Sequence, residues 1–295
     1  MSLLVDDNEK YPTVQWDTPI NQLIRDDFVL ENDYATNHIT IEDALSHRSG
    51  LPSHDCSYGG PGVTVKDIVR SLRHLPLTAE PRTTYQYCNI MFIVASHVIE
   101  TVTRRKLGEL MRELIWKPLG MDATCFTLED AKNAKEDLAH GYKYLYDDGD
   151  GEYEEVKWMH LEECSGAGMV ISNVLDYAKW ARAIISQENP LSKKGWEAVF
   201  NPRTLMPIEE PYTGPRAYAL GWRMGVYKGQ RFYEHSGGVN GFGAELLIFP
   251  DQKFAAVALS NTAGTSNFVD QRLTFHLVDE KLNIPAWERF DWNKK

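Results

Sequence analysis

No stretch of this 295-residue sequence is apolar for long enough to cross a bilayer, which argues against a helical membrane span. Residues 1–5 are apolar but too few for a secretory leader. They lack a basic flank and run straight into Asp6 and Asp7, so a cytoplasmic location is the expectation. Cysteine is scarce. Cys56, Cys88, Cys125 and Cys164 form no C-x-x-C pair and no zinc-type spacing, so they read as reduced, partly buried thiols and no metal is expected. Positive charge is also short. Against 42 Asp and Glu stand 31 Lys and Arg, a formal net charge of -11, so the basic face that a phosphate backbone requires is missing and nucleic acid is not an expected partner. Internal repeats and low-complexity linkers are absent too.

What remains is ordinary globular material. Hydrophobic residues make up 43 % and charged residues 25 %, enough for a substantial core. Thr40-Ile41-Glu42-Asp43 fits a capping box, and Thr64 begins a second helix. Ile90, Ile93, Val94, His97, Val98, Thr101 and Val102 recur at helical spacing, and Leu107, Leu110, Met111, Leu114 and Ile115 do so again before Pro118 and Gly120. Strands are expected over 142–146 and 152–158, around a solvated turn at 147–151 that does not match a calcium loop. Ser172 reads as the cap of another helix. The last third reads as strands over 218–227, 231–235, 243–249 and 254–260, with a glycine-rich break after His235 and an amphipathic helix over about 267–282. Helices in the middle and hairpins at the end make the class α+β.

Three patterns could carry chemistry. Tyr87-Cys88-Asn89 sits where a loop meets a buried helix, where a phenol can move a proton and an amide can bind a carbonyl; a core tyrosine and a capping asparagine fit equally. His235-Ser236-Gly237-Gly238 ends a strand in small residues, which lets a substrate backbone lie alongside, and its histidine can donate a hydrogen bond or shuttle a proton; a glycine-rich hairpin bulge is the plainer alternative. His47-Arg48-Ser49-Gly50-Leu51-Pro52 reads as a turn that ends a helix, with a structural histidine. Trp222, Phe242, Trp287, Phe290 and Trp292 fit core packing, a pocket lining or an interface.

Taken together and in this order, the patterns resemble the serine β-lactamase and penicillin-binding-protein-like family, which includes esterases, D-aminopeptidases and acyltransferases. Residues 39–52 are similar to its T-I-x-x-L-L-x-H-T-S-G-L-P stretch, with Arg48 in place of Thr. Residues 81–89 resemble P-G-x-x-x-x-Y-S-N, with Cys88 in place of Ser. Gly166-Ala167-Gly168 and the helix that follows resemble A-G-G-L-x-S-T-A-x-D-L-A. His235-Ser236-Gly237-Gly238 takes the place of K-T-G or H-x-G. The resemblance spans roughly residues 3–282.

It implies a single β-lactamase/transpeptidase-like domain over 1–295, with a helical region over about 39–200 and an antiparallel sheet with a final helix over about 215–285. It also implies acyl-enzyme chemistry on an ester, amide or lactam carbonyl of a small molecule, without a cofactor. Tyr87 would move the proton and Asn89 would hold the acyl group. His235 would anchor the Tyr87 side or a substrate carboxylate, and the backbone at Ser236, Gly237 and Gly238 would line the substrate and the oxyanion. The family's nucleophile is the serine of S-x-x-K, and none of the serines here has lysine three residues later. On the resemblance, the chain is therefore expected to be an incomplete domain, with the nucleophile helix and N-terminal strands truncated, and to be inactive as it stands. Two alternatives stay open: a non-catalytic relative that binds an acyl compound or a protein partner, and unrelated catalysis by Tyr87 and His235 alone.

Overall fold

A computed structural model describes residues 1–294 apart from 59, 61, 135–136, 146–150, 160–161, 263 and 265. The helical part is set by local chemistry. Thr40 and Thr64 each accept from the backbone N–H of the aspartate three residues on, and Asp43 and Asp67 accept in return from the cap backbone. These boxes start α1 (Ile41–Leu45) and α2 (Val65–Ser71). Both pack on α3 (Asn89–Thr103), which buries Ile90, Met91, Ile93, Val94, Ala95, Ser96, Val98 and Ile99. A helix covered over so much of its circumference is the centre of a core rather than its skin.

Strands β1 (Gly141–Leu145) and β2 (Glu152–Val156) form a small antiparallel pair. The turn expected at 147–151 falls largely on residues 146–150, outside the described residues. After α4 (Val174–Ser186) and α5 (Lys193–Val199) comes a six-stranded antiparallel sheet. Its strands follow in chain order: β3 (Thr204–Met206), β4 (Arg216–Tyr218), β5 (Arg223–Tyr227), β6 (Gln230–Val239), β7 (Phe242–Phe249) and β8 (Phe254–Ser260). The final helix, α6 (Ser266–Lys281), packs on β7 and β8. The two-residue period of a strand divides the core between the sheet's faces. Tyr233, Leu246 and Ile248 meet Ile184, Trp196 and Phe200 on one face, while Phe232, Leu247 and Phe249 meet Phe275, Val278 and Trp292 on the other. His235, two residues beyond Tyr233, shares the first face. The class is α+β, as the sequence implies.

Four details differ from the sequence reading. The strand expected over 218–227 is two strands, β4 and β5, because Gly221 takes φ 84° and the Ala219 N–H closes a tight turn on the Trp222 carbonyl at 2.7 Å. The glycines after His235 are not a break. Gly237 and Gly238 stay in β6, opposite Ala244 and Gly243, and the chain turns only at Gly241. The cap of α4 is Asn173, whose side chain accepts from the Leu175 and Asp176 N–H groups; the Ser172 hydroxyl bonds Thr124 instead. Finally, α6 is not amphipathic in the expected sense. It buries Asp270, Thr274 and Asp279 and exposes Val269, Leu273 and Leu277. The buried acids have partners on the sheet, since Ser260 and Tyr227 donate to Asp270 and Asp279.

Gly141 of β1 and Gly241 of the β6–β7 turn touch almost backbone to backbone. A methyl group on Gly241 would lie 2.4 Å from the Val156 side chain and 3.0 Å from the Gly141 Cα, and one on Gly141 would lie 2.7 Å from the Phe242 ring. Cys88, Cys125 and Cys164 are buried and form no disulfide with one another. Among the described residues no helix is long and apolar enough to cross a membrane. Of the aromatics noted in the sequence, Trp292 and Trp222 join the cores and Phe242 packs on Trp158, whereas Trp287 is exposed.

Candidate active site

Residues 40–52 are fixed by a buried carboxylate. Asp43 has no exposed side-chain surface and accepts from Arg48 Nε at 2.7 Å, Arg82 Nη2 at 2.8 Å and the Thr40 hydroxyl at 2.9 Å. Burial pushes its carboxyl pKa up, but the bonds from Arg82, Thr40 and Arg48 outweigh burial and hold it below the ordinary range. Arg48, the residue that departs from the resemblance, thus ties Asp43 to Glu42, which it reaches at 2.5 Å. A wide hollow of about 450 Å³ adjoins this network, lined by Trp16, Asp17, Thr40, Glu42, Arg48 and Arg82. Its charged groups are largely spent on one another, so it offers a ligand little unpaired charge.

The network delivers His47 to the interior. His47 takes a left-handed backbone, φ 54°, and is wholly buried. Its carbonyl accepts from the Gln86 N–H at 2.9 Å, and its Nδ1 accepts from the Cys88 N–H at 3.0 Å. These two bonds flank Tyr87 and press its ring to 4.2 Å from the imidazole. Because Nδ1 accepts, the neutral ring carries its proton on Nε2, which has no hydrogen-bond partner among the described residues. Burial, with the nearby His235 and Arg223, lowers the His47 pKa to about 3.

His235 comes from β6. Its Nδ1 lies 2.7 Å from the Ser236 carbonyl, to which it can only donate, so Nε2 accepts from the Tyr218 hydroxyl at 2.8 Å. Burial first, and then the Arg223 cation, lower its pKa to about 4, although the Ser236 carbonyl opposes them. The imidazole is therefore neutral near pH 7, with both nitrogens engaged. Tyr87 and His235 have ring centroids 6.2 Å apart and line one cavity of about 130 Å³ with Asn89, Phe92, Ala167, Tyr218 and Gly221.

The permanent cation nearby is Arg223, which donates to Ser236 Oγ at 3.0 Å. Burial pushes the Tyr87 phenol pKa up and the Arg223 charge draws it back. The phenol oxygen has no hydrogen-bond partner among the described residues. Asn89 Nδ2 donates to Asp55 Oδ1 at 3.1 Å, and the Gly237 carbonyl accepts from Asn267 at 2.6 Å. Pairing between β5 and β6 ends at Arg223 and Glu234, so from His235 to Val239 the β5-facing edge of β6 has no partner strand among the described residues.

The structure thus brings Tyr87, Asn89 and His235 to one cavity, with Ser236, Gly237 and Gly238 running on from it along β6. Sequence reasoning missed Tyr218 and Arg223, which lie on what looks like a single ordinary strand, and Asp55, which lies in a loop. It reads His47 as structural, and the structure buries that ring against Tyr87, with ring centroids 4.2 Å apart. Among the described residues no group of three or more His, Cys, Asp and Glu side chains could hold a metal ion.

Residues 2–279 match the family model described as Beta-lactamase. The chain is 49 % identical over 299 residues to a protein of Aspergillus campestris named unguisins hydrolase ungD', an alignment that covers all of this chain and 56 % of that protein. It is 27 % identical over 240 residues to penicillin-binding protein 4* of Bacillus subtilis, covering 76 % of this chain and 51 % of that one. Among solved structures it resembles the octameric penicillin-binding protein homologue of Pyrococcus abyssi, with TM-score 0.77, 21 % identity, and 94 % of this chain and 63 % of that chain covered. The D-stereospecific amidohydrolase of a Streptomyces species follows at TM-score 0.73 and 22 % identity, with 97 % and 84 % covered. At such identities the structures show a shared fold. The chain spans about half the length of the curated relatives it matches.

Proposed function

We propose, from the premise that this chain belongs to the β-lactamase family, that its Tyr87–His235 cavity receives the acyl part of a small ester, amide or lactam and serves acyl-enzyme chemistry. The observation that carries this reading is the meeting of the Tyr87 phenol and a neutral imidazole, His235, in the wall of one cavity, beside a strand edge that has no partner strand among the described residues. A substrate backbone pairs with such an edge through main-chain hydrogen bonds, and an N–H of residues 236–238 faces a developing oxyanion. Tyr87 carries the proton between the leaving group and an attacking hydroxyl, a group that the S-x-x-K serine supplies in the family and that none of these 295 residues supplies in that motif. Tyr218 holds His235 in one tautomer, so His235 orients the Tyr87 side of the cavity. Arg223 supplies the positive charge that a neutral histidine cannot.

Hydrolysis is favoured over transfer to another acceptor by the names of the relatives, which include an unguisins hydrolase and a D-aminopeptidase. An amide is favoured over an ester by the D-aminopeptidase and by the fold neighbour that is an amidohydrolase. A second reading, a chain that binds acyl compounds without turning them over, is supported by one feature: no serine among the 295 residues has lysine three positions on.

The two readings part on a single experiment. The purified chain is incubated with a fluorophosphonate or a β-lactam probe and weighed by intact-protein mass spectrometry, while binding of the same β-lactam is followed by NMR shifts. A covalent adduct whose formation slows in Tyr87→Phe supports catalysis. Shifts without an adduct support binding alone, and neither signal overturns both.

A further inference from the structure

Asn89 is the first residue of α3, and its side chain lines the cavity. Its amide has a definite orientation. Nδ2 donates to Asp55 Oδ1 at 3.1 Å and also faces the Tyr58 hydroxyl, which itself donates to the same Asp55 oxygen. The other carboxylate oxygen, Oδ2, accepts from the Ser53 hydroxyl at 2.7 Å. An ionised carboxylate only accepts hydrogen bonds. Turning the amide over would set the Asn89 carbonyl oxygen against that carboxylate, so the nitrogen end stays with Asp55. The amide group that remains for the cavity is the carbonyl oxygen. The hydrogen-bond donors to Asp55 among the described residues (Ser53, Tyr58 and Asn89) are neutral groups, so they leave its negative charge uncancelled. Burial pushes the Asp55 carboxyl pKa up, but the bonds from Tyr58, Ser53 and Asn89 bring it below the ordinary range, which keeps it ionised near pH 7.

We propose that Asp55 is a specificity-determining positioning residue: it locks Asn89 with its carbonyl oxygen toward the cavity, so that the site selects an N–H donor on the acyl part of its substrate. This reverses the sense of the hydrogen bond that the family resemblance suggests for Asn89, an amide N–H given to a substrate carbonyl. It rests on the acyl-binding reading of the cavity and adds the polarity of one of its walls. The donor has two chemical sources, a peptide-type amide N–H and a protonated amine.

The test is equilibrium binding to the whole 295-residue chain, read by NMR titration, of three probes. N-acetyl-phenylalanine amide carries the amide N–H. O-acetyl-phenyllactamide has the same shape with an ester oxygen in place of that N–H. Phenylalanine amide carries the protonated amine. The N–H probe is expected to bind roughly tenfold more tightly than its oxygen isostere, the size of one hydrogen bond to a site that is otherwise left unpaired. In Asp55→Ala the amide is free to turn, and the ratio falls to about one; Asn89→Leu, which does not depend on the 51–62 loop, gives the same collapse. Tighter binding of phenylalanine amide than of the N-acetyl probe assigns the donor to an ammonium, and the reverse order to a peptide N–H. Equal binding of the isosteric pair to the parent, no binding of any probe, or a ratio that survives both substitutions overturns the proposal. Because turnover is not needed, a failed covalent label would count against catalysis and leave this ratio as the measure of the Asn89 orientation.

Discussion

The Tyr218 hydroxyl donates to His235 Nε2 across 2.8 Å, while the opposite nitrogen of the same ring gives its proton to the Ser236 carbonyl. A histidine held at both nitrogens cannot gain a proton without breaking the Tyr218 bond or reversing it. Tyr218→Phe should therefore free Nε2 and raise the His235 pKa from about 4, which a pH titration of the imidazole NMR signals would detect. An unchanged titration would mean that burial and the Arg223 cation set the value without help from Tyr218.

The two buried imidazoles give the fold an acid-sensitive stability. His47 and His235 titrate at about 3 and about 4 when folded, against 6.5 as the ordinary value. Between those values the unfolded chain binds protons that the folded chain does not. Stability is thus fully present above pH 6.5 and is lost as pH falls toward 4 and then 3, each group adding a slope of up to about 1.4 kcal/mol per pH unit. Urea midpoints measured from pH 7 to pH 4.5 should fall, and His235→Gln should flatten the decline. Arg223→Gln should flatten it also, because removing that cation raises both histidines.

Glu245 works in the opposite sense. It is buried on β7, and its Oε1 has no partner among the described residues; burial first, and then Glu234, push its pKa from 4.5 to about 8. The folded chain holds this proton where the unfolded chain has lost it. Its contribution is complete below pH 4.5 and is lost as pH rises through 8. Glu245→Gln keeps the shape and removes the ionisation, so the melting temperature of the variant should exceed that of the parent at pH 8.5 and approach it at pH 5. A variant that melts lower at both pH values would place an unseen partner at Oε1.

Asp43→Ala should be among the most damaging single changes. It removes the aspartate half of the α1 capping box, the bonds that the Asp43 carboxylate accepts from the Thr40 N–H and hydroxyl, and leaves Arg48 and Arg82 without the carboxylate they share. Removing one member of a buried ionic group costs about 3–5 kcal/mol, readable as a lower urea midpoint. Because His47 follows directly from this segment and packs on the rings of Tyr87 and Tyr218 at centroid distances of 4.2 and 4.6 Å, the near-ultraviolet circular dichroism of those two tyrosines should change as well. Loss of stability with an unaltered aromatic spectrum would separate the network from the cavity.

The outer edge of β8 has no partner strand among the described residues, and Val269, Leu273 and Leu277 expose a stripe at four-residue spacing on the helix that packs on it. An unpaired edge beside apolar surface favours association. Leu273→Lys should shift the light-scattering mass at high concentration downward with no loss of melting temperature. An unchanged mass would show that the stripe is inert.

Much of this was legible in the sequence because it is local. The capping boxes at Thr40 and Thr64 and the periodic run through α3 each depend on residues a few positions apart. Tyr87 and Asn89 stood out as a pair at a loop–helix junction, and His235 as the end of a polar strand. Partners supplied from across the fold were not legible. Tyr218 and Arg223 look like strand residues until the pairing of β4, β5 and β6 brings them beside His235 and Ser236. Asp55 looks like loop polarity until Asn89 is placed against it. The face of α6 was misread for the same reason, since Asp270 and Asp279 are tolerated inside only because Ser260 and Tyr227 reach them from the sheet.

The meeting of Gly141 with Gly241 has a mechanical meaning. With no room for even one methyl group between them, the outlying two-stranded ribbon and the tip of the β6–β7 hairpin behave as two jaws closed on a pin. A tilt of the ribbon toward the hairpin meets backbone directly, so it is expected to move the hairpin tip, which belongs to the strand pair that carries His235.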